Sequence, residues 1–347
     1  MTAKRNRKLG WGVIGCGQIA CEKTIPGMLK AAHARLVSAA DILPQRLDIV
    51  KGLEPEVRTC RDYAELLADD EVEAVYVALP SGMHCQAVLD AAAAGKHVLC
   101  EKPLAFDAAD ARRMVEAAHA AGVRLMTAYM SRFGDMYQKA LGLLRAHRLG
   151  TITLVNANFS YDAVRWYPPE SPGGWRWTDP VGGGPLLDVG IYLVFAVREL
   201  LDDRFAKVSA ASWPVRAEGS PQDDSFIAWF RTARGVPGLL ATMFTHEEQR
   251  LSILGEKGHL TLWNVFSQKP TGRLVCRTDA LDIDETVDTA RVDHFEHYTR
   301  EVEHFSSAIL SGSPHEPAAA DVLEDMKVLD ALKASARRGR PVTVPSE

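Results

Sequence analysis

Several features that would place the chain in a specialised class are missing from the sequence. Six cysteines, at positions 16, 21, 60, 85, 100 and 276, are spread over 347 residues, and none forms a C-x-x-C pair. A zinc knuckle is therefore not expected, and the thiols read as reduced, small apolar residues. No run of about 18 apolar residues occurs, so no membrane-spanning helix is expected. Positive charge is not in excess: the formal net charge is −5, which argues against a nucleic-acid partner. The start MTAKRNRKLGW is basic, but no long apolar segment follows it, so a secretory leader is not expected and a cytoplasmic location is. Internal repeats and low-complexity tracts are absent too.

What is present suits an ordinary soluble protein, with 47% hydrophobic and 24% charged residues. The length suggests two domains. Through residue 129, β-like runs (LGWGVIGCG, ARLVSAADI, VEAVYVAL, HVLCEKP, RLMTAYM) alternate with helical ones (IACEKTIPGMLKAA, DYAELLAD, MHCQAVLDAAAAG, DAADARRMVEAAHAAG). That alternation predicts an α/β domain over 1–129, a parallel sheet with helices on both faces. From 130 to 347 the runs TITLVNANFSY, FAKVSAASWPV, DSFIAWFRT, GLLATMFT, QRLSILGEKGHLTLW and RLVCRT follow one another without helices between them. They predict an α+β domain with a large, mostly antiparallel sheet. Helices near 292–311 and 320–338 are expected to pack back toward the first domain.

The turn VIGCGQIA holds Gly15-x-Gly17-x-x-Ala20 after a strand and before a helix, with Gln18 and Ile19 inside it. Gly15 permits the tight turn, Gly17 lets the backbone approach a pyrophosphate, and Ala20 lets helix and strand pack closely. The helix N-terminus offers amide donors to phosphate. An ordinary β–α turn would use the same glycines, but the surrounding alternation favours a Rossmann-type nucleotide site. Asp41, closing the next strand, suits the two ribose hydroxyls of NAD and repels the extra phosphate of NADP. Arg46 nearby softens that preference, so NAD is expected with NADP as the alternative.

Two further stretches carry chemistry. In AGKHVLCEKPLA, Glu101 and Lys102 follow an apolar strand, at the end where ligands bind in open α/β sheets; by itself, the pair also reads as a surface turn. In GGGPLLDVGIY, Pro185 suits the first position of a helix. Asp188 and Tyr192 then lie four residues apart on one face of an otherwise apolar helix. A helix-dipole acid and a packing tyrosine would explain them locally. A buried carboxylate is costly unless paired, however, and Lys102 is an available cation.

VIGCGQIA, LPSGMH (79–84), AGKHVLCEKPLA, GGGPLLDVGIY and GRPVTV (339–344) together resemble the glucose-fructose oxidoreductase/inositol dehydrogenase/MocA-type family over nearly the whole chain. The resemblance implies an NAD(P)-dependent oxidoreductase acting on CH–OH groups. It implies that Leu79, Pro80 and His84 belong to the loop passing the nicotinamide, that Glu101 lies near the nicotinamide ribose, and that Lys102 is the catalytic-site lysine. It also implies a cis Lys102–Pro103 bond. Many members carry histidine where this chain has Tyr192. Tyrosine there is similar to the sugar-oxidising and dihydrodiol-dehydrogenase-like branches, in which Trp175 and Arg176 resemble a Trp-Arg pair near cofactor and substrate.

The stretch YDAVRWYPPESPGGWRWTDP (161–180) supplies Tyr161, Arg165, Trp175 and Arg176 as candidate contacts for a sugar ring, and it reads equally as a packed loop. The expected mechanism makes Tyr192 the acid/base, with Lys102 tuning it and Asp188 orienting Lys102 or a sugar hydroxyl. A free phenol titrates near 10, and a cation at roughly 4 Å would bring it toward neutrality. His294, His297 and His304 read as a solvated helix face, and no metal is expected. A small sugar or polyol substrate and a homodimer or homotetramer are expected. Keto-sugar reduction in the opposite direction and a non-catalytic nucleotide-sensing protein are the alternatives.

Overall fold

The computed structural model describes residues 7–171, 173–179, 182–216 and 221–346. Residues 1–6 of the basic start, and positions 172 and 180 of the aromatic stretch, lie outside the described residues. The chain forms two compact units: Met1–Phe133 with Asp293–Leu323, and Gly134–Val292 with Glu324–Glu347.

The first unit is built on six strands: β1 Leu9–Ile14, β2 Ala34–Ala40, β3 Arg58–Cys60, β4 Ala74–Val77, β5 His97–Glu101 and β6 Leu125–Ala128. Their order is β3-β2-β1-β4-β5-β6 and every pair is parallel. β1 and β4 are buried along their whole length, which is why they read as continuous apolar runs rather than alternating ones. The order reverses between β1 and β4, the switch point at which such sheets bind ligands.

The flanking helices are α1 Ile25–Lys30, α2 Pro44–Leu53, α3 Tyr63–Leu67, α4 His84–Ala93 and α5 Ala108–Ala120. Asp62 and Asp107 cap α3 and α5 by accepting the amides of Ala64 and Asp110. Gly95 and Gly122, the expected C-caps, have φ of 72° and 67°. A late segment, α10 Glu296–Ser311, completes this unit. Its Val302 and Phe305 join Trp11 in one core, and the Trp11 indole donates to Ser306 Oγ at 3.0 Å. A Cβ on Gly27 of α1 would stand 2.8 Å from Tyr298 Cβ, so glycine lets α1 and α10 approach.

The second unit holds a nine-stranded sheet. Its strands are β7 Ile152–Ser160, β8 Phe205–Trp213, β9 Ser225–Thr232, β10 Pro237–Met243, β11 Glu248–Gly255, β12 Gly258–Trp263, β13 Arg273–Thr278, β14 Leu281–Thr286 and β15 Val342–Thr343. The order is β14-β13-β12-β11-β7-β10-β9-β8-β15. The sheet is antiparallel except for β7 against β10.

Its helices are α6 Asp135–Arg145, the short α7 Ala163–Trp166 and α8 Trp175–Thr178, and α9 Ile191–Leu201. The long α11, Ala319–Arg338, crosses the boundary between the two units. α6, β14 and β15 were not expected from the sequence. α9 is buried on nearly every side and is tied by Tyr137 Oη donating to Glu199 Oε2 at 2.7 Å and by Arg198 Nε donating to Asp325 Oδ1 at 2.7 Å. β9 alternates buried and exposed residues. Ile227 and Trp229 are each 41% exposed, beside Leu239 of β10.

Candidate active site

In the first unit the expected cofactor residues gather at the carboxyl ends of the parallel strands. Gly15 has φ +91°, and a Cβ there would sit 2.7 Å from the Ala78 carbonyl oxygen, so only glycine fits. A Cβ on Gly17 would meet nothing within 4 Å. The turn is thus closed beneath Gly15 and open above Gly17, as close approach of a pyrophosphate requires. Asp41 adds a role that the sequence did not show. Its Oδ2 accepts the Cys16 amide at 2.8 Å and its Oδ1 accepts the Leu43 amide at 2.9 Å, so the carboxylate braces the glycine turn. Gln18 is exposed and donates to Glu22 at 3.2 Å. Ile19 is half-buried just ahead of a π-helical turn, Ala20–Thr24. Arg46 is half-buried on α2. Burial pushes the Cys16 thiol well up, so this cysteine is a packing residue.

At the end of β5, Glu101 is held from two sides. Tyr76 Oη donates to its Oε1 at 2.5 Å, and the Lys102 amide donates to its Oε2 at 3.2 Å. Thr24 Oγ1 donates in turn to Tyr76 Oη at 3.0 Å. Burial raises the Glu101 carboxyl, while Lys102 and the Tyr76 hydrogen bond oppose that rise. Burial, with the charge of Glu101, raises Tyr76 well above a free phenol. Lys102 is half-buried and its bond to Pro103 is cis. Leu79 and Pro80 form the turn after β4, with Leu79 half-buried and Pro80 exposed. His84 opens α4 and is 1% exposed, with both ring nitrogens against backbone carbonyls.

Glu301 of α10 went unnoticed in the sequence. It is 1% exposed, and its Oε1 has no hydrogen-bond partner among the described residues. Burial and the nearby Glu101 raise its carboxyl well above the usual range. The same helix corrects the reading of its histidines. His297 is buried and His304 lies against the Phe133 ring, centroids 5.4 Å apart. An i, i+3, i+4 pattern looks alike whether the face meets water or a core.

In the second unit, Gly184 adopts φ +84° and Pro185 opens a π-helical turn, Leu186–Gly190, that runs into α9. Such turns recur at functional sites. Asp188, 4% exposed, lies in this turn. Its Oδ2 accepts Tyr161 Oη at 2.5 Å and Arg176 Nε at 2.8 Å. The Arg176 guanidinium stands 4.0 Å from the centroid of Tyr167 and 4.4 Å from that of Trp175. Burial opposes its charge, but Asp188 holds it firmly protonated. Burial and Asp188 raise the Tyr161 phenol well above its usual range. The sequence argument did not foresee that Arg176 pairs with Asp188 within the second unit. Tyr192, 6% exposed, packs against the stacked rings of Phe159 and Phe266 at centroid distances of 5.7 and 6.1 Å. Arg165 is exposed and lies over Trp166, outside this cluster.

A parallel sheet with a glycine turn at its switch point, joined in one chain to a second unit built on a broad sheet, defines a nucleotide-binding protein of two units. Residues 9–129 match the model of the oxidoreductase family with an NAD-binding Rossmann fold, and residues 137–261 match the GFO/IDH/MocA C-terminal domain. The chain belongs to that family and is an NAD(P)-dependent oxidoreductase.

Among its relatives, D-xylose 1-dehydrogenase (NADP+) 2 of Haloferax volcanii is 30% identical over 96% of this chain and 98% of its own. The 1,5-anhydro-D-fructose reductase of Ensifer adhaerens is 32% identical over 77% of this chain and 79% of its own. The aldose-aldose oxidoreductase of Caulobacter crescentus, solved with glycerol, superposes with a TM-score of 0.86. It shares 26% identity, covering 97% of this chain and all (100%) of that one. Among the described residues, no helix is long and apolar enough to cross a membrane.

Proposed function

We propose that the chain oxidises a carbinol carbon of a sugar, polyol or related cyclic diol. The observation that carries this reading is Asp188, a buried carboxylate fixed by Tyr161 and Arg176 four residues before Tyr192 on the same apolar helix. Such a polar cluster suits a hydroxylated ligand, and the relatives named above are called after sugars.

The glycine turn of Gly15, Gly17, Gln18 and Ile19 would hold the phosphates, Asp41 the ribose, and Leu79, Pro80 and Glu101 the nicotinamide end. NAD(P), when bound there, would supply the acceptor for the hydride that leaves the carbinol carbon. Tyr192 takes the hydroxyl proton, and Lys102 holds the substrate oxygen and favours the phenolate. Asp188, through Arg176 and Tyr161, fixes the helix that presents Tyr192 and offers an acceptor to a sugar hydroxyl. Trp175 gives an aromatic face to the ring.

Asp41 favours NAD over NADP, with Arg46 moderating the choice. Reduction of a keto-sugar is the same chemistry run backward, and the anhydrofructose reductase relative favours keeping it in view. The half-exposed apolar band of Ile227, Trp229 and Leu239 fits self-association. All six cysteines stand as free thiols, which fits a reducing cytoplasm.

The test is a panel of aldoses, polyols and dihydrodiols with NAD and with NADP, plus keto-sugars with the reduced cofactors, followed at the nicotinamide absorbance band. Turnover of at least one carbonyl–carbinol pair is expected. Tight nucleotide binding without any turnover would replace this reading with a sensor.

A further inference from the structure

His84 Nε2 stands 2.8 Å from the Leu79 carbonyl oxygen, and Nδ1 stands 3.0 Å from the Pro103 carbonyl oxygen. The first carbonyl belongs to the turn after β4. The second belongs to the turn after β5, one residue past Lys102. Carbonyl oxygens only accept, and a neutral imidazole carries a single N–H. The neutral ring therefore satisfies one carbonyl and turns a lone pair toward the other. Only the imidazolium donates to both.

We propose that His84 is a positioning residue that clasps the Leu79 turn to the Lys102 turn, with one hydrogen bond when neutral and two when protonated. The surroundings set where that change falls. Burial holds the ring below its ordinary pKa, contacts with the carbonyls of Leu79, Pro103 and Leu104 work against that, and the Lys102 ammonium lowers it further. Lys102 is the charged group acting on the ring; the Cys85 thiol beside it on α4 is directed at the Asp110 carbonyl. The coupling is reciprocal: a charged Lys102 disfavours the second hydrogen bond, and a doubly bonded His84 places a cation beside Lys102. The clasp itself is independent of the substrate. Its bearing on catalysis rests on the role proposed above for Lys102.

The experiment uses the full chain with ¹⁵N-labelled histidine rings, followed by NMR across the pH range in which the protein stays folded. One ring is expected to show a single N–H at neutral pH and two N–H groups in acid, with a midpoint below the ordinary 6.5. Lys102→Met identifies it without removing it, because loss of the ammonium moves its midpoint upward. Backbone amide exchange in residues 102–106 is then compared with His84→Gln at each pH. Protection in the unaltered protein should rise about two- to tenfold as the ring takes up its proton, the factor one net hydrogen bond supplies. A ring that never carries two N–H groups would overturn the proposal. So would a midpoint indifferent to Lys102→Met, or exchange at 102–106 that ignores the titration. None of these readouts needs turnover, so a protein that oxidises no sugar decides the clasp all the same.

Discussion

Arg176 Nε donates to Asp188 Oδ2 at 2.8 Å, with the guanidinium lying over the rings of both Tyr167 and Trp175. A charge pair this well buried is costly to break from one side, because the partner left behind keeps its charge out of water. Arg176→Ala should therefore lower the unfolding free energy by about 3 kcal/mol or more. Arg176→Lys should recover only part of it, since an ammonium neither stacks nor forks. Denaturant titration monitored by tryptophan fluorescence measures both, and an alanine variant as stable as the parent would remove the pair from the structural account.

Tyr192 and Lys102 have separate tasks in the proposed reaction. Tyr192→Phe should reduce kcat by about a hundredfold to ten-thousandfold, the range of a lost general acid/base. Lys102→Ala should fall at least as far. Cofactor affinity, followed by quenching of tryptophan fluorescence, should change little in Tyr192→Phe. Near-normal turnover in either variant would refute the assigned roles.

Glu301 gives a stability signature in pH. Its folded pKa is raised by burial and by Glu101, so the folded chain holds this proton where the unfolded chain releases it. The stabilising neutral form is fully present below the unfolded pKa, near 4.5, and its contribution is lost as pH rises toward the folded pKa. Relative to Glu301→Gln, the parent should lose stability with rising pH by up to about 1.4 kcal/mol per unit in that window. Parallel stability curves for the two proteins would show that Glu301 does not titrate in this way.

Asp41 should govern the choice of nucleotide. Asp41→Ser removes the charge that repels a 2′-phosphate, and it also removes acceptors from the Cys16 and Leu43 amides. The ratio of NADP to NAD affinity should rise by about tenfold or more, equivalent to roughly 1.4 kcal/mol. The melting temperature should fall as the glycine turn loses its brace. An unchanged ratio in a calorimetric titration would count against the ribose contact.

Trp229 and Leu239 sit opposite each other in the β9–β10 register, 41% and 55% exposed. Trp229→Lys combined with Leu239→Lys should turn an assembled protein into a monomer in sedimentation-velocity runs, with the fold unchanged by circular dichroism. A parent that already sediments as a monomer would dispose of the assembly.

Much of the architecture was legible because its signals are local. The alternation of strand and helix, the spacing of Gly15 and Gly17, and Pro185 before a four-residue pair are each set within a dozen residues. The hidden features are long-range. Nothing in the sequence singles out Arg176 as a partner of Asp188, because cations look alike until the chain is folded. Glu301 escaped because a helix facing a core and a helix facing water share one period, and its histidines misled for the same reason. β14 and β15 are short or polar, so the apolar-run signal passed them by. The parallel β7–β10 pair has no local mark at all.

The interrupted path of the first unit has a consequence for how this protein is made. Its core needs Val302 and Phe305, and its Trp11 indole is bonded to Ser306, 295 positions away. During translation the opening third of the polypeptide leaves the ribosome long before these residues exist. The nucleotide-binding half is thus the earlier to be begun, yet its core waits for Asp293–Leu323, made after Gly134–Val292 of the other unit. A chain truncated before residue 296 would expose a tryptophan-lined apolar surface, an invitation to chaperones and proteases.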